Sequence, residues 1–113
     1  MATRAELVEK YAADMKEHFG VDADADLLEK VVAGLGPSVY DPDGELVSSS
    51  DDAEMDRVRT SFLMGKLGLP DGPELAAAVS DVCARYGTSN RSKYRAVVYY
   101  MLTKRFGRES VYG

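Results

Sequence analysis

The sequence predicts an all-α domain, a compact bundle of about five helices, with a small β-hairpin or an ordered loop near residues 38–47. Apolar residues recur every three or four positions in five segments, the spacing of one helix face. Glycines close those segments, and most open on a capping residue or an acid. With 113 residues the chain is long enough to bury a core without disulfides or metals, and too short for two domains, so 1–113 is read as one helical domain.

Thr3 and Glu6 spell a capping box at the first helix start. Leu7, Val8, Tyr11, Met15 and Phe19 form its stripe, and Gly20 suits its left-handed end, with Val21 as the hydrophobic contact. Asp24 and Asp26 can cap a second, shorter helix whose apolar side is Leu27, Leu28, Val31, Val32 and Leu35. Asp41-Pro42-Asp43-Gly44 is turn chemistry: proline presets φ, and glycine takes a positive φ cheaply. Short β-favouring flanks there permit a hairpin or an ordered loop. Ser49 and Ser50 are candidate caps of a third helix, striped by Met55, Val58, Phe62, Leu63 and Leu67 and stopped by Gly68-Leu69-Pro70. Asp71, Pro73 and Glu74 open a fourth, with Leu75, Val79, Val82, Cys83 and Tyr86 on one face and Gly87 closing it. The fifth is expected from Ser89 or Asn90 to Phe106, with Gly107 after it. The expected core includes Leu7, Tyr11, Leu28, Val31, Phe62, Val79, Val82, Val98 and Met101.

Apolar content of 45% and charged content of 29% are those of an ordinary soluble globular protein. No apolar run reaches the roughly 20 residues that span a bilayer. "MATRAELVEK" carries no secretory h-region, and Cys83 is the only cysteine, which excludes an internal disulfide; both point to a reducing cytoplasm. A net charge of −5 argues against bulk nucleic-acid binding, whose footprint is a basic surface. The charge is nevertheless divided. Positions 41–56 hold acids and no lysine or arginine, whereas 91–108 hold Arg91, Lys93, Arg95, Lys104, Arg105 and Arg108 and no acid.

Most motifs with chemistry in them fail on inspection. Asp22, Asp24 and Asp26 resemble the start of a calcium loop, but the glycine and glutamate it needs further on are Leu27 and Ala33. One histidine, His18, and one cysteine are too few for a zinc site of His and Cys ligands, and His18 near a helix end suits the dipole without any ligand. Cys83 on an apolar stripe reads as a small hydrophobe. No phosphate loop, no nucleophile–base pair, no cofactor signature and no metal-ligand set is legible, and no catalytic residue is assigned.

The stretch 87–107, "GTSNRSKYRAVVYYMLTKRFG", keeps a functional claim at one end. Its middle is apolar nearly all round, the mark of a central helix. Lys104 and Arg105 suit a helix C-terminus, where cations favour the dipole. Arg91, Lys93 and Arg95, placed in the first turns, go against that preference. With Ser89 and Asn90 they make a candidate site for a small anion or an acidic partner segment. The competing structural reading is that acidic residues 41–56 neutralise these cations internally. A helix-turn-helix from the fourth and fifth helices is the weaker alternative, because the second helix is too apolar to lie exposed in a groove. The tyrosines permit a homodimer interface and equally permit core packing.

The segments "KVVAGLGPSVYDPD", "FLMGKLGLPD" and "SNRSKYRAVVYYMLTKRFG" resemble a family of small bacterial proteins, the domain of unknown function 2853. The likeness extends from "LVEKYAADMKEHFGV" to "ESVYG" and implies a compact, mainly helical domain; it brings no reaction, cofactor or catalytic residue. The leading expectation is a non-enzymatic cytoplasmic binding or protein-interaction module. A small nucleic-acid-associated helical protein and an enzyme acting on an anionic metabolite are the alternatives.

Overall fold

A computed structural model describes residues 3–113. Six helices follow one another: α1 (Arg4–Phe19), α2 (Ala25–Leu35), a one-turn α3 (Pro42–Glu45), α4 (Asp52–Arg57), α5 (Pro73–Gly87) and α6 (Arg95–Phe106). A 3-10 turn (Gly36–Tyr40) joins α2 to α3, α4 runs on into a π-helical stretch (Val58–Lys66), and a last 3-10 turn (Glu109–Tyr112) ends the chain. There is no strand among the described residues, so the fold is the all-α bundle that the sequence predicts.

Local chemistry sets the early boundaries. Thr3 and Glu6 form the capping box in both directions, and Gly20 closes α1 at φ 67°. Asp24 accepts from the N–H groups of Asp26 and Leu27 at the head of α2. Three later boundaries differ from expectation. Asp51, not Ser49 or Ser50, caps α4, because its carboxylate reaches the N–H groups of Ala53 and Glu54. Asp71 does not cap α5, since its Oδ1 is taken by Arg59 and by the N–H of Gly72. The last long helix starts at Arg95 rather than at Ser89 or Asn90.

Residues 38–47 form no hairpin; the 3-10 turn runs into the one-turn α3 and then the extended Leu46. Asp41 caps α3 through the Asp43 N–H, and Pro42 fills the first helical position, where its missing N–H costs nothing. The chain then makes an isolated antiparallel bridge, Leu46 to Tyr94.

All nine expected core residues are buried. The core draws most of its buried residues from α1, α2, the π-helical stretch, α5 and α6, with Met55 of α4 packed against it, and α6 runs through its middle with Ala96, Val97, Val98, Tyr100, Met101, Leu102 and Thr103 all buried. It packs against α1, α2, α3 and α5. A helix apolar on nearly every side has to be enclosed in this way. No helix among the described residues is long and apolar enough to cross a membrane.

Candidate functional site

The five residues singled out from the sequence separate into three environments. Residues 88–94 form a loop after Gly87, whose φ of 116° turns the chain out of α5. Asn90 accepts from the Ser92 N–H, a local turn that competes with helix formation. The Tyr86 hydroxyl then takes the Tyr94 N–H at 3.2 Å, and the Lys93 carbonyl takes the Val47 N–H at 2.8 Å. These contacts hold the segment out of helix until Tyr94, so Ser89, Asn90, Arg91 and Lys93 precede the helix instead of forming its first turns.

Lys93 points inward. It is 1% exposed, its Nζ donates to the Asn90 carbonyl, and it has no carboxylate partner among the described residues. It therefore offers nothing to an external anion.

Arg95 is neutralised from within, by the acidic segment that the competing reading named. Its Nη2 lies 2.6 Å from Glu54 Oε1. That oxygen is buried and sits in charge contact rather than in line with an N–H. The fork also reaches the carbonyls of Gly44 at 2.9 Å and Leu46 at 3.0 Å, and the Tyr99 hydroxyl at 3.3 Å. Burial alone would pull the guanidinium down, but Tyr99 and Glu54 hold it above its ordinary value.

Ser89, Asn90 and Arg91 remain at the surface, on one wall of an open groove of about 1340 Å³. The opposite wall is the segment from Ser38 to Asp51, with Glu54 and Arg57 of α4, and Arg95 and Tyr99 lie along it. Glu54 serves Arg57 at 3.4 Å as well as Arg95, and Asp51 serves the N–H groups of α4. Arg91 lines the groove with no carboxylate in ion-pair distance among the described residues. Ser48, Ser49, Ser50 and Thr88 add hydroxyls to the walls.

A second hollow, about 560 Å³, lies between α4 and α5. Cys83 lines it, but burial pushes the thiol above its ordinary range against the opposing charge of Lys93, and His18 is not among the lining residues. The arrangement thus lacks the thiolate and base that a cysteine nucleophile needs. A polar constellation that the sequence reading passed over is on α1, where Asp14, Glu17 and His18 converge. Their i, i+3, i+4 spacing was visible, but only the fold shows that Tyr86 fixes one of them.

No curated protein matches the chain. A family model described as "Protein of unknown function (DUF2853)" matches residues 10–110, which takes in every helix described above in whole or large part. The chain belongs to that family.

Proposed function

We propose that the protein is a non-enzymatic binding module whose groove between residues 38–51 and 88–91 takes an acidic segment of a partner protein. The observation that carries this reading is Arg91, a groove cation left without a carboxylate beside walls rich in hydroxyls. Size decides between ligand classes. Pockets for small molecules enclose about 300–1,000 Å³, and this groove is larger and open. An extended peptide fits it better than a metabolite. A carboxylate on the peptide meets the Arg91 fork in bidentate geometry, and the serine hydroxyls donate to the neighbouring carbonyls. The setting in this reading is bacterial and cytoplasmic, which the lone reduced Cys83 and the family resemblance support.

The test is an amide-shift titration with a synthetic glutamate-rich peptide, with phosphate and a DNA duplex as separate arms. Expected are shifts confined to residues 48–51 and 88–92, weakening as salt rises, and absent in Arg91→Glu. Shifts of the same size in Arg91→Glu, or none at millimolar peptide, overturn the reading. Shifts with DNA alone would replace it with the nucleic-acid alternative.

A further inference from the structure

Two carboxylates stand near the end of α1, one of them in the last turn, where the helix disfavours an acid. The last turns of a helix carry the negative end of its dipole. Glu17 lies in the last turn and Asp14 one turn before it, and among the described residues neither is paired with a lysine or an arginine. Both face the single histidine instead. His18 Nε2 is 3.3 Å from Asp14 Oδ1 and 3.8 Å from Glu17 Oε2. All three donor atoms fall within 4.8 Å of one another.

Asp14 is also held from behind. The buried Tyr86 hydroxyl of α5 donates to Oδ2, which leaves Oδ1 facing the histidine. The imidazole is braced in turn against the Tyr86 ring, with centroids 5.3 Å apart. An outer hydrogen bond that orients a carboxylate while its second oxygen stays available is how metal ligands are commonly supported.

We propose that Asp14, Glu17 and His18 form a three-ligand site for a borderline divalent transition cation, with Zn²⁺ the best match. One imidazole nitrogen and two carboxylate oxygens without a thiolate suit Zn²⁺, and three protein donors are too few for Ca²⁺. The spacing supports the same choice. A tetrahedral ion with bonds of about 2.0–2.2 Å keeps its donors roughly 3.3–3.6 Å apart. The Asp14–His18 pair already has that separation at 3.3 Å, and the Glu17–His18 pair at 3.8 Å closes with a small swing of the exposed Glu17 side chain. The fourth position is open to water or to an outside ligand. If His18 served only as the i, i+4 partner of Asp14, Glu17 would have no part and added metal would change nothing.

The experiment is calorimetric titration of the untagged full chain with Zn²⁺, repeated with Co²⁺ and read by its visible absorption. Expected is one equivalent bound in the micromolar range, a rise in thermal stability with Zn²⁺, and the intense bands of tetrahedral cobalt. Glu17→Gln should weaken binding about 10-fold, and His18→Gln or Asp14→Asn should abolish it. Tyr86→Phe keeps all three ligands and should cost about 10–100-fold in affinity through lost orientation. Unfolding of each variant without metal shows that it is folded before its affinity is read. Absence of binding to the natural chain overturns the proposal. So does affinity that survives in His18→Gln or is lost in Cys83→Ser, because the metal then sits elsewhere.

Discussion

At the scale of single residues, the partly buried Arg95 and the buried Lys93 are two cations solved in opposite ways. Arg95 spends its whole fork: one carboxylate, two well-aligned carbonyls and one hydroxyl. Removing it leaves the Glu54 carboxylate, which is only 13% exposed, with the exposed Arg57 at 3.4 Å as its one cation, and frees the carbonyls of Gly44 and Leu46. Arg95→Ala should therefore cost about 2–4 kcal/mol, near the range for breaking a buried pair. Urea unfolding measures it, and a loss below about 0.5 kcal/mol would show the pair to be surface-like. Lys93 has one acceptor and no acid for a side chain buried more deeply than Arg95. Its amine is desolvated with little return. Lys93→Met, of similar volume, should leave stability unchanged or raise it by about 1 kcal/mol, since the Asn90 carbonyl lies at the half-exposed edge of the loop. A clear drop in urea midpoint in that variant would mean that Nζ fixes the 88–94 turn. Gly44 is constrained by space instead. A Cβ there would lie 2.0 Å from the Ser38 carbonyl oxygen. Gly44→Ala should cost about 1–3 kcal/mol through that overlap.

At the scale of elements, what could be read ahead depended on how far the deciding contact reached. The capping box of α1, the Asp24 cap and the Gly20 end are local bonds, and the sequence carries them openly. The start of α6 does not lie in its own residues. Asn90, Ser92 and Lys93 would tolerate a helix, but Tyr86 from α5 and Val47 from the far segment claim the backbone first. That displaced start is why Arg91 and Lys93 left the helix and why only part of the candidate site came together. The α4 stripe was legible in membership but not in winding. At about 100° per residue, Val58 and Leu67 would point to opposite sides of an α-helix. Both are buried, at 0% and 1% exposure. The looser i→i+5 winding brings them round to one side with Phe62 and Leu63. The helices are tied by phenols whose titration can be read. Tyr11 donates to Glu45 at 2.7 Å, and Tyr86 to Asp14. Burial, and then the carboxylate partner, push both phenols well above the ordinary tyrosine range. The unfolded chain loses these protons from about pH 10 upward while the folded chain keeps them, so the stabilisation is complete below pH 10 and falls as pH rises beyond it. Each phenol contributes a slope of about 1.4 kcal/mol per pH unit there. Denaturant unfolding between neutral pH and pH 11 should show that fall, and Tyr86→Phe should flatten it. An unchanged slope in Tyr86→Phe would rule Tyr86 out as a source.

At the scale of the whole molecule, the segment from Gly36 to Asp51 is attached differently from the rest. Helices α1, α2, α5 and α6 hold one another by broad apolar faces. This segment buries Val39 and Val47 and otherwise rests on a few polar clamps. Glu45 meets Lys10 and Tyr11, Val47 donates to the Lys93 carbonyl, and Arg95 gathers the carbonyls around Gly44. The same segment is one wall of the groove. Few apolar contacts favour opening below the global unfolding free energy. The wall should therefore open as a unit while the bundle stays folded, and opening it would widen the groove for a peptide. Hydrogen exchange at the residue level reads this directly. In the natural chain, amides at 39–47 should exchange at a lower free energy than those of α2 and α6. In Arg95→Ala the amides of 43–47 should lose most of their remaining protection. The α2 and α6 amides should fall only by the global loss that urea unfolding reports. If wall and bundle instead exchange at one common free energy in both chains, the wall is part of the global unit. Peptide entry would then have to proceed without its opening.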